Sequence, residues 1–392
     1  DGGDLLAWPV TVVPTLAGHD VNTPAHPLRT VLVACALGAC ALAATAQIRI
    51  GQTVGVTGAV AATVKESMTG AQLYLNHINA KGGVGGEQIE VTTLDDAFDV
   101  KKAEANARSL IEERGMLAMF MSRGTPHTEA IHTVLEQHRV ALVGPSTGAM
   151  VLHQPLKRYV FNVRATYQRE AERAVAHLAS IGVRRLAVVH VDDSFGNDGL
   201  EGARKGLQAA GLEPVAVAKF DRTKPDFAPL LPGLKAAEPQ AVLLIGSGTA
   251  VVEGIRSFKA ATVAGQYITL SNNASAGFVK LLGDAGHGVV VSQVMPASQS
   301  YALVKEATQL AKAQGVDELS PAMLEGFASA KVLVEALRRA GPRPSRASLH
   351  NALENLGRLD LGGLVLDYSP TDHTGLDFVD LSIISAGGKF RR

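Results

Sequence analysis

Cysteine is nearly missing from this sequence: among 392 residues only Cys35 and Cys40 carry a thiol, and both lie in one apolar stretch near the N-terminus. A disulfide framework for the rest of the chain is thereby excluded. Net charge is missing too, with 37 Lys+Arg against 37 Asp+Glu and a formal charge of +0. A chain without a basic excess does not neutralise a phosphate backbone, which removes nucleic acid from the expected partners. No block of like charges reads as a tail. Aromatic residues are scarce at 5%, although hydrophobic residues reach 46%. That balance of Ala, Val, Leu and Gly is typical of alternating helices and strands, not of a fibrous or disordered chain. The length fits two domains of roughly 100–200 residues each.

The N-terminal apolar stretch has the layout of a secretory signal peptide. His26 and Arg29 precede it, an apolar run covers Val31 to Leu42, and Ala44-Thr45-Ala46 offers small residues at both positions that a signal peptidase reads. The run falls short of the roughly 20 residues that a membrane span needs. Cleavage after Ala46 gives a mature chain that starts at Gln47 and has no cysteine. A rival reading takes Leu37-Gly38-Ala39-Cys40 as a lipobox with Cys40 lipidated. Residues 1–25 fit neither reading and are taken as an upstream extension or a misplaced start, outside the fold.

From Ile48 onward, period-2 apolar segments alternate with segments of helical spacing. Ile48 to Val56, Ile89 to Leu94, Met116 to Met121 and Val140 to Val143 are expected strands. The stripes Met68, Ala71, Leu75, Ile78 and Ala103, Ala107, Leu110, Ile111 mark helices between them. A second series follows, with strands at Leu186 to His190, Val215 to Phe220, Ala241 to Ile245, Ile268 and Val289. Helices Ala302 to Ala313, Pro321 to Arg339 and Ser345 to Asn355 come next, then strand-like segments at Leu364 to Tyr368 and Phe378 to Ser385. This pattern predicts an α/β protein with two doubly wound parallel sheets covered by helices. Ligands of such sheets bind beyond the carboxyl ends of the strands, in loops rich here in Gly, Ser, Thr and Asn.

Several motifs could carry chemistry. Gly144-Pro145-Ser146-Thr147-Gly148 matches the G-x-S-x-G of serine hydrolases, but Pro155 interrupts the helix that should follow the nucleophile, and no His-Gly-Gly segment lies upstream. A strand-end turn offering hydroxyls and N–H groups is the expected reading. Gly246-Ser247-Gly248 lacks the third glycine of a dinucleotide fingerprint, because Val251 stands in its place. His127, His132 and His138 share a helix at spacings that put them on different faces, so no metal site and no cofactor is expected and the helix reads as solvated. Asp95-Asp96 and Asp192-Asp193 follow strands and read as turns or helix caps.

Gln47-Ile48-Arg49-Ile50-Gly51-Gln52-Thr53, Thr57-Gly58, Ile78-Asn79-Ala80-Lys81-Gly82-Gly83-Val84, Asp95-Asp96, Gly124-Thr125-Pro126 and Asp193-Ser194-Phe195-Gly196 occur in one order. Together they resemble the leucine/isoleucine/valine-binding family, the periplasmic solute receptors of ABC transporters. The resemblance implies a type I fold with two lobes and a three-crossover hinge. Residues 47–163 plus 296–361 would form the first lobe and 164–295 plus 362–392 the second, with crossovers near Phe161 to Arg164, Gln293 to Pro296 and Leu361 to Leu364.

It also implies a site without catalytic residues. Thr125, Ser146, Thr147 and Gly148 would grip the solute from the first lobe, and Tyr167 and Phe195 from the second. The chain departs from the family at Ser247, where an aromatic is expected, and at Ser271 and Asn272, where the acidic partner of a ligand ammonium is expected. Thr63 stands where the family has an aromatic. The expected solute is a small carboxylate or amino-acid-like molecule; because an ammonium buried without a carboxylate is costly, an acid without an α-ammonium is favoured unless Asp193 supplies the charge. Arg123 is a candidate for added positive charge, with a surface role equally open. The implied partner is the permease of an ABC transporter, the implied compartment the periplasm and the implied state a monomer. The rival functions are a serine hydrolase using Ser146 and a sensory ligand-binding domain of the same fold.

Overall fold

A computed structural model describes Gln47–Arg391; the signal-peptide and lipobox readings fall on residues outside the described ones. The first sheet is built from β1 (Gln47–Val54), β2 (Gln88–Asp95), β3 (Ala118–Phe120), β4 (Leu142–Val143) and β5 (Val160–Phe161). Its order is β2-β1-β3-β4-β5, and every pairing is parallel. Ile48, Ile50, Phe120, Val143 and Phe161 are buried because helices cover the sheet, as a parallel sheet requires.

The second lobe repeats the plan with β6 (Leu186–Val191), β7 (Ala216–Phe220), β8 (Ala241–Ile245), β9 (Gln266–Thr269) and β10 (Val290–Gln293). A hairpin of β11 (Gly357–Asp360) and β12 (Val365–Tyr368) precedes β13 (Asp380–Ile384) and β14 (Phe390–Arg391). The second sheet runs β14-β13-β10-β9-β8-β6-β7. Unlike the expected all-parallel arrangement, β13 and β14 join it antiparallel, since the chain arrives there from the other lobe and closes the edge as a hairpin.

The first sheet packs against two apolar cores and the second sheet against one. The chain passes between the lobes after Phe161 and again after Gln293. The third passage lies later than the expected Leu361 to Leu364. Leu364, Leu366, Tyr368 and Leu376 all pack in the first core, and Leu376 N–H donates to the Val163 carbonyl at 2.9 Å. Residues 362–376 are thus a first-lobe segment, held there by the apolar face of β12, and the crossing falls between Leu376 and Asp380.

One helix pair fixes the floor of the cleft. Ser320 caps the helix Pro321–Ala340 by accepting from Met323 N–H, and Gly341 at φ 81 ends it. This helix lies against Ala61–Ala80 so closely that a Cβ on Gly70 would stand 1.8 Å from the Met323 carbonyl oxygen, and one on Gly326 1.9 Å from that of Ser67. Only glycine permits that approach. Its consequence is that Glu325, one turn into the helix, is held beneath the strand-end loops.

Candidate functional site

The first lobe brings two loops together at the carboxyl ends of β3 and β4. A parallel bridge joins Arg123 to Ser146, and the Ser146 N–H donates to the Ser122 carbonyl at 2.8 Å. The Thr125 and Thr147 hydroxyls lie 2.7 Å apart and both side chains are buried. Thr125 opens the helix Thr125–His138, so the free N–H groups and positive dipole end of that helix point to the same place. Gly148 continues the second loop, and its carbonyl accepts from Tyr167 N–H at 2.8 Å.

The second lobe contributes aromatic and amide groups. Tyr167 and Phe195 are both buried, with ring centroids 4.6 Å apart. Asn272 donates to the Gly246 carbonyl at 2.8 Å and to Ser247 Oγ at 3.0 Å. The six residues expected to grip the solute, and Ser247 and Asn272, which were expected to line the site in place of the family's aromatic and acid, therefore lie on the facing ends of the two sheets.

Charged groups lie deeper, and most were not anticipated. Arg164 is fully buried and forms an ion pair with Glu170. It also donates to Ser271 Oγ at 2.5 Å and stacks over Tyr167 with its guanidinium carbon 4.5 Å from the ring centroid. Burial alone would lower its pKa, but Tyr167, Glu325 and Glu170 outweigh that and raise it. Glu170 further accepts from Ser271 N–H at 2.9 Å and from the Ser292 hydroxyl. Glu325 accepts from the Ser146 hydroxyl at 2.8 Å and stands 3.8 Å from Arg164. Arg123, only 3% exposed, donates to Ser146 Oγ at 3.0 Å and, across the cleft, to the Asn272 carbonyl at 2.5 Å. The surface role left open for Arg123 is excluded by that burial. One sequence signal was available for Glu325: it is a lone acid on an otherwise apolar helix face.

The acid that could have replaced the missing ammonium partner is committed elsewhere. Asp193 accepts from the N–H groups of Phe195 and Gly196 as a helix cap and pairs with Arg222 at 2.5 Å. Asp192 pairs with Lys219 at 2.8 Å. Asp95 and Asp96 close a turn through Ala97 N–H and Phe98 N–H. His127 departs from the expectation of a solvated helix. It is buried and stacked on Phe98, 4.4 Å between centroids, and Arg222 of the second lobe lies over the Phe98 ring at 5.0 Å.

The lobes touch at several points on the rim. Thr63 Oγ1 lies 2.9 Å from Ser275 Oγ, Thr249 N–H donates to the Ala59 carbonyl at 3.1 Å, and Glu66 accepts from Ala276 and Gly277 N–H at 3.0 and 2.6 Å. Beside this rim remains a pocket of only about 10 Å³, room for about one water, lined by Gln52, Val54, Val64, Ser67, Met68, Met121, Arg123 and Ser146. That is smaller than the roughly 300–1,000 Å³ of sites for drug-sized ligands. A solute entering it needs the lobes to part.

Behind the Gly144–Ala149 loop, Asp198 accepts from Met150 N–H at 3.1 Å and from Gln168 at 2.8 Å, while its second oxygen is buried without a partner. Burial pushes its pKa up to about 6 from 3.8. A carboxyl whose folded-state pKa is raised stabilises the fold at low pH and loses that contribution as pH rises through about 6. Asp198→Asn is accordingly expected to raise stability by about 1–3 kcal/mol at pH 7.5 and to change little near pH 4. Urea midpoints at the two pH values measure this; an equal gain at both would contradict it.

A family model described as periplasmic binding protein matches residues 47–381. The chain is similar to the Leu/Ile/Val/Thr-binding protein of Salmonella typhimurium, with 22% identity over 68% of this chain and 73% of that one. It is also similar to the Leu/Ile/Val-binding protein homolog 3 of Brucella melitensis, with 24% identity over 84% and 89% of the two chains. A solved substrate-binding periplasmic protein from Ralstonia solanacearum superposes with a TM-score of 0.80 at 30% identity, covering 88% of this chain and 99% of that one. Two doubly wound lobes, strand-end loops that meet across a cleft and a match along nearly all the described residues agree: the chain belongs to the periplasmic binding protein family, with the Leu/Ile/Val-binding proteins among its relatives.

Proposed function

We propose that this receptor is exported by its N-terminal signal peptide, encloses a small carboxylate between its lobes and delivers it as a monomer to the permease of an ABC transporter. The observation that carries the reading is the pairing of neutral donors with the lack, among the described residues, of an acid at the site that is not already paired or hydrogen-bonded. Thr125, Thr147, the Gly148 backbone and the N-terminus of the helix Thr125–His138 converge there, whereas Asp193 is taken up by Arg222 and by its cap. Ser271 and Asn272, opposite, are neutral. Such a site stabilises a carboxylate through charge-assisted hydrogen bonds and leaves an ammonium without compensation.

Binding without chemistry is favoured over hydrolysis by the state of Ser146. Its hydroxyl is held between Glu325 and Arg123, no histidine among the described residues bonds to it, and the loop runs on into the short turn Met150–Leu152 in place of the long helix that follows a nucleophile elbow. Thr125→Ala is expected to weaken carboxylate binding by about 1–3 kcal/mol, the range for a hydrogen bond to a charged group. Calorimetry on both proteins tests it, and unchanged affinity would remove Thr125 from the site.

A further inference from the structure

Resting on that carboxylate reading, we infer that Arg123 is the residue that sets the charge of the solute, holding its carboxylate by the guanidinium fork while an apolar tail lies against Val54, Val64, Met68 and Met121. Three observations carry this. The first is the state of the charges. Arg164 contacts Glu170 and stands 3.8 Å from Glu325, but the contacts of Arg123 are two neutral oxygens, Ser146 Oγ and the Asn272 carbonyl. A guanidinium taken out of water is stabilised best by a planar anion that accepts two parallel N–H bonds, and a carboxylate has that shape.

The second is its place. Arg123 is one of the residues lining the small pocket beside the cleft, and every other side chain lining it is uncharged. Ser146 fixes the guanidinium from behind, since Glu325 takes the hydroxyl proton and leaves a lone pair facing Arg123. Glu325 therefore acts as a positioning residue through Ser146. The third is the apolar wall. Val54, Val60 and Val64, with Val56, Met68 and Phe98 packed on them, form a small cluster separate from the lobe cores. It lies at the carboxyl end of β1, beside Arg123, where an alkyl or aryl tail would meet it. Met68 is only partly buried there, and its unbranched thioether adapts to tails of different shape.

The test is calorimetry of the full chain against a series of straight, branched and aryl monocarboxylic acids, each paired with its primary amide, in the native protein, Arg123→Gln and Arg123→Lys. The native protein should bind the best acid tighter than its amide. Arg123→Gln should weaken the acid by about 10- to 150-fold and leave the amide nearly unchanged. Arg123→Lys should fall between, keeping the charge and losing the fork. Equal losses for acid and amide in both variants would show a structural residue and overturn the inference while leaving the carboxylate reading intact. A native protein that binds none of the acids would instead overturn the carboxylate reading and this inference with it. Thermal melts of both variants accompany the titrations, and the lysine variant keeps the test decisive if the glutamine variant does not fold.

Discussion

Replacing Arg164 with methionine is expected to cost about 3–5 kcal/mol of folding stability, because it leaves a carboxylate buried and unpaired. Glu170 is buried, and its partners after the change would be the Ser271 N–H and the Ser292 hydroxyl. Two neutral donors do not replace a guanidinium. Glu325 loses a cation 3.8 Å away as well, and Tyr167 loses the group stacked on its ring. The double substitution Arg164→Met with Glu170→Gln should recover a large share of the loss, since removing both charges also removes the desolvation problem. Urea unfolding of the single and double variants measures the difference. A single-variant loss below about 1 kcal/mol would place the pair among exposed ion pairs and contradict its burial.

Gly248→Ala is expected to abolish closure while leaving each lobe folded. Gly248 sits at φ 56 and ψ −126, a conformation that residues with a Cβ avoid. A Cβ there would stand 1.8 Å from the Ala59 carbonyl oxygen of the opposite lobe, where Thr249 N–H donates on closing. A clash with backbone has no soft escape, so the variant must keep its lobes apart. A ligand stabilises the closed form only through contacts that the open form lacks. Solution scattering should show the native radius of gyration falling with a saturating monocarboxylic acid and the variant's staying unchanged. Equal compaction in both would mean that the lobes meet in a different way.

The fold was legible because its signals are local. Alternation at Ile48 to Val56 and the stripe from Met68 to Ile78 each report which face of a segment is buried, and a parallel sheet with helices on both sides follows from many such segments. The hairpin Gly357–Tyr368 and the antiparallel β13 and β14 were less legible. Which lobe a short strand joins depends on contacts such as that of Leu376 with Val163, which no window of sequence contains. The strand-end hydroxyls Thr125, Ser146 and Thr147 could be found from topology and family order.

The charges behind them could not. Arg164 and Glu170 are six residues apart and read as ordinary hinge and helix residues, and Glu325, although a lone acid on an apolar helix face, comes more than 150 residues later. Only their convergence beneath Ser146 makes them a network, and only that network separates Arg123, without a carboxylate in contact, from Arg164, which has one. The burial of His127 was hidden for a related reason: it stacks on Phe98, and Arg222 of the other lobe lies over that ring.

The central claim, a receptor for small carboxylates that lack an α-ammonium, is tested most directly by calorimetry against each amino acid paired with its deaminated analogue. Several of the deaminated acids should bind, and the best of them should bind more tightly than any amino acid in the panel. Tighter binding of leucine, isoleucine or valine than of every deaminated acid would contradict the account.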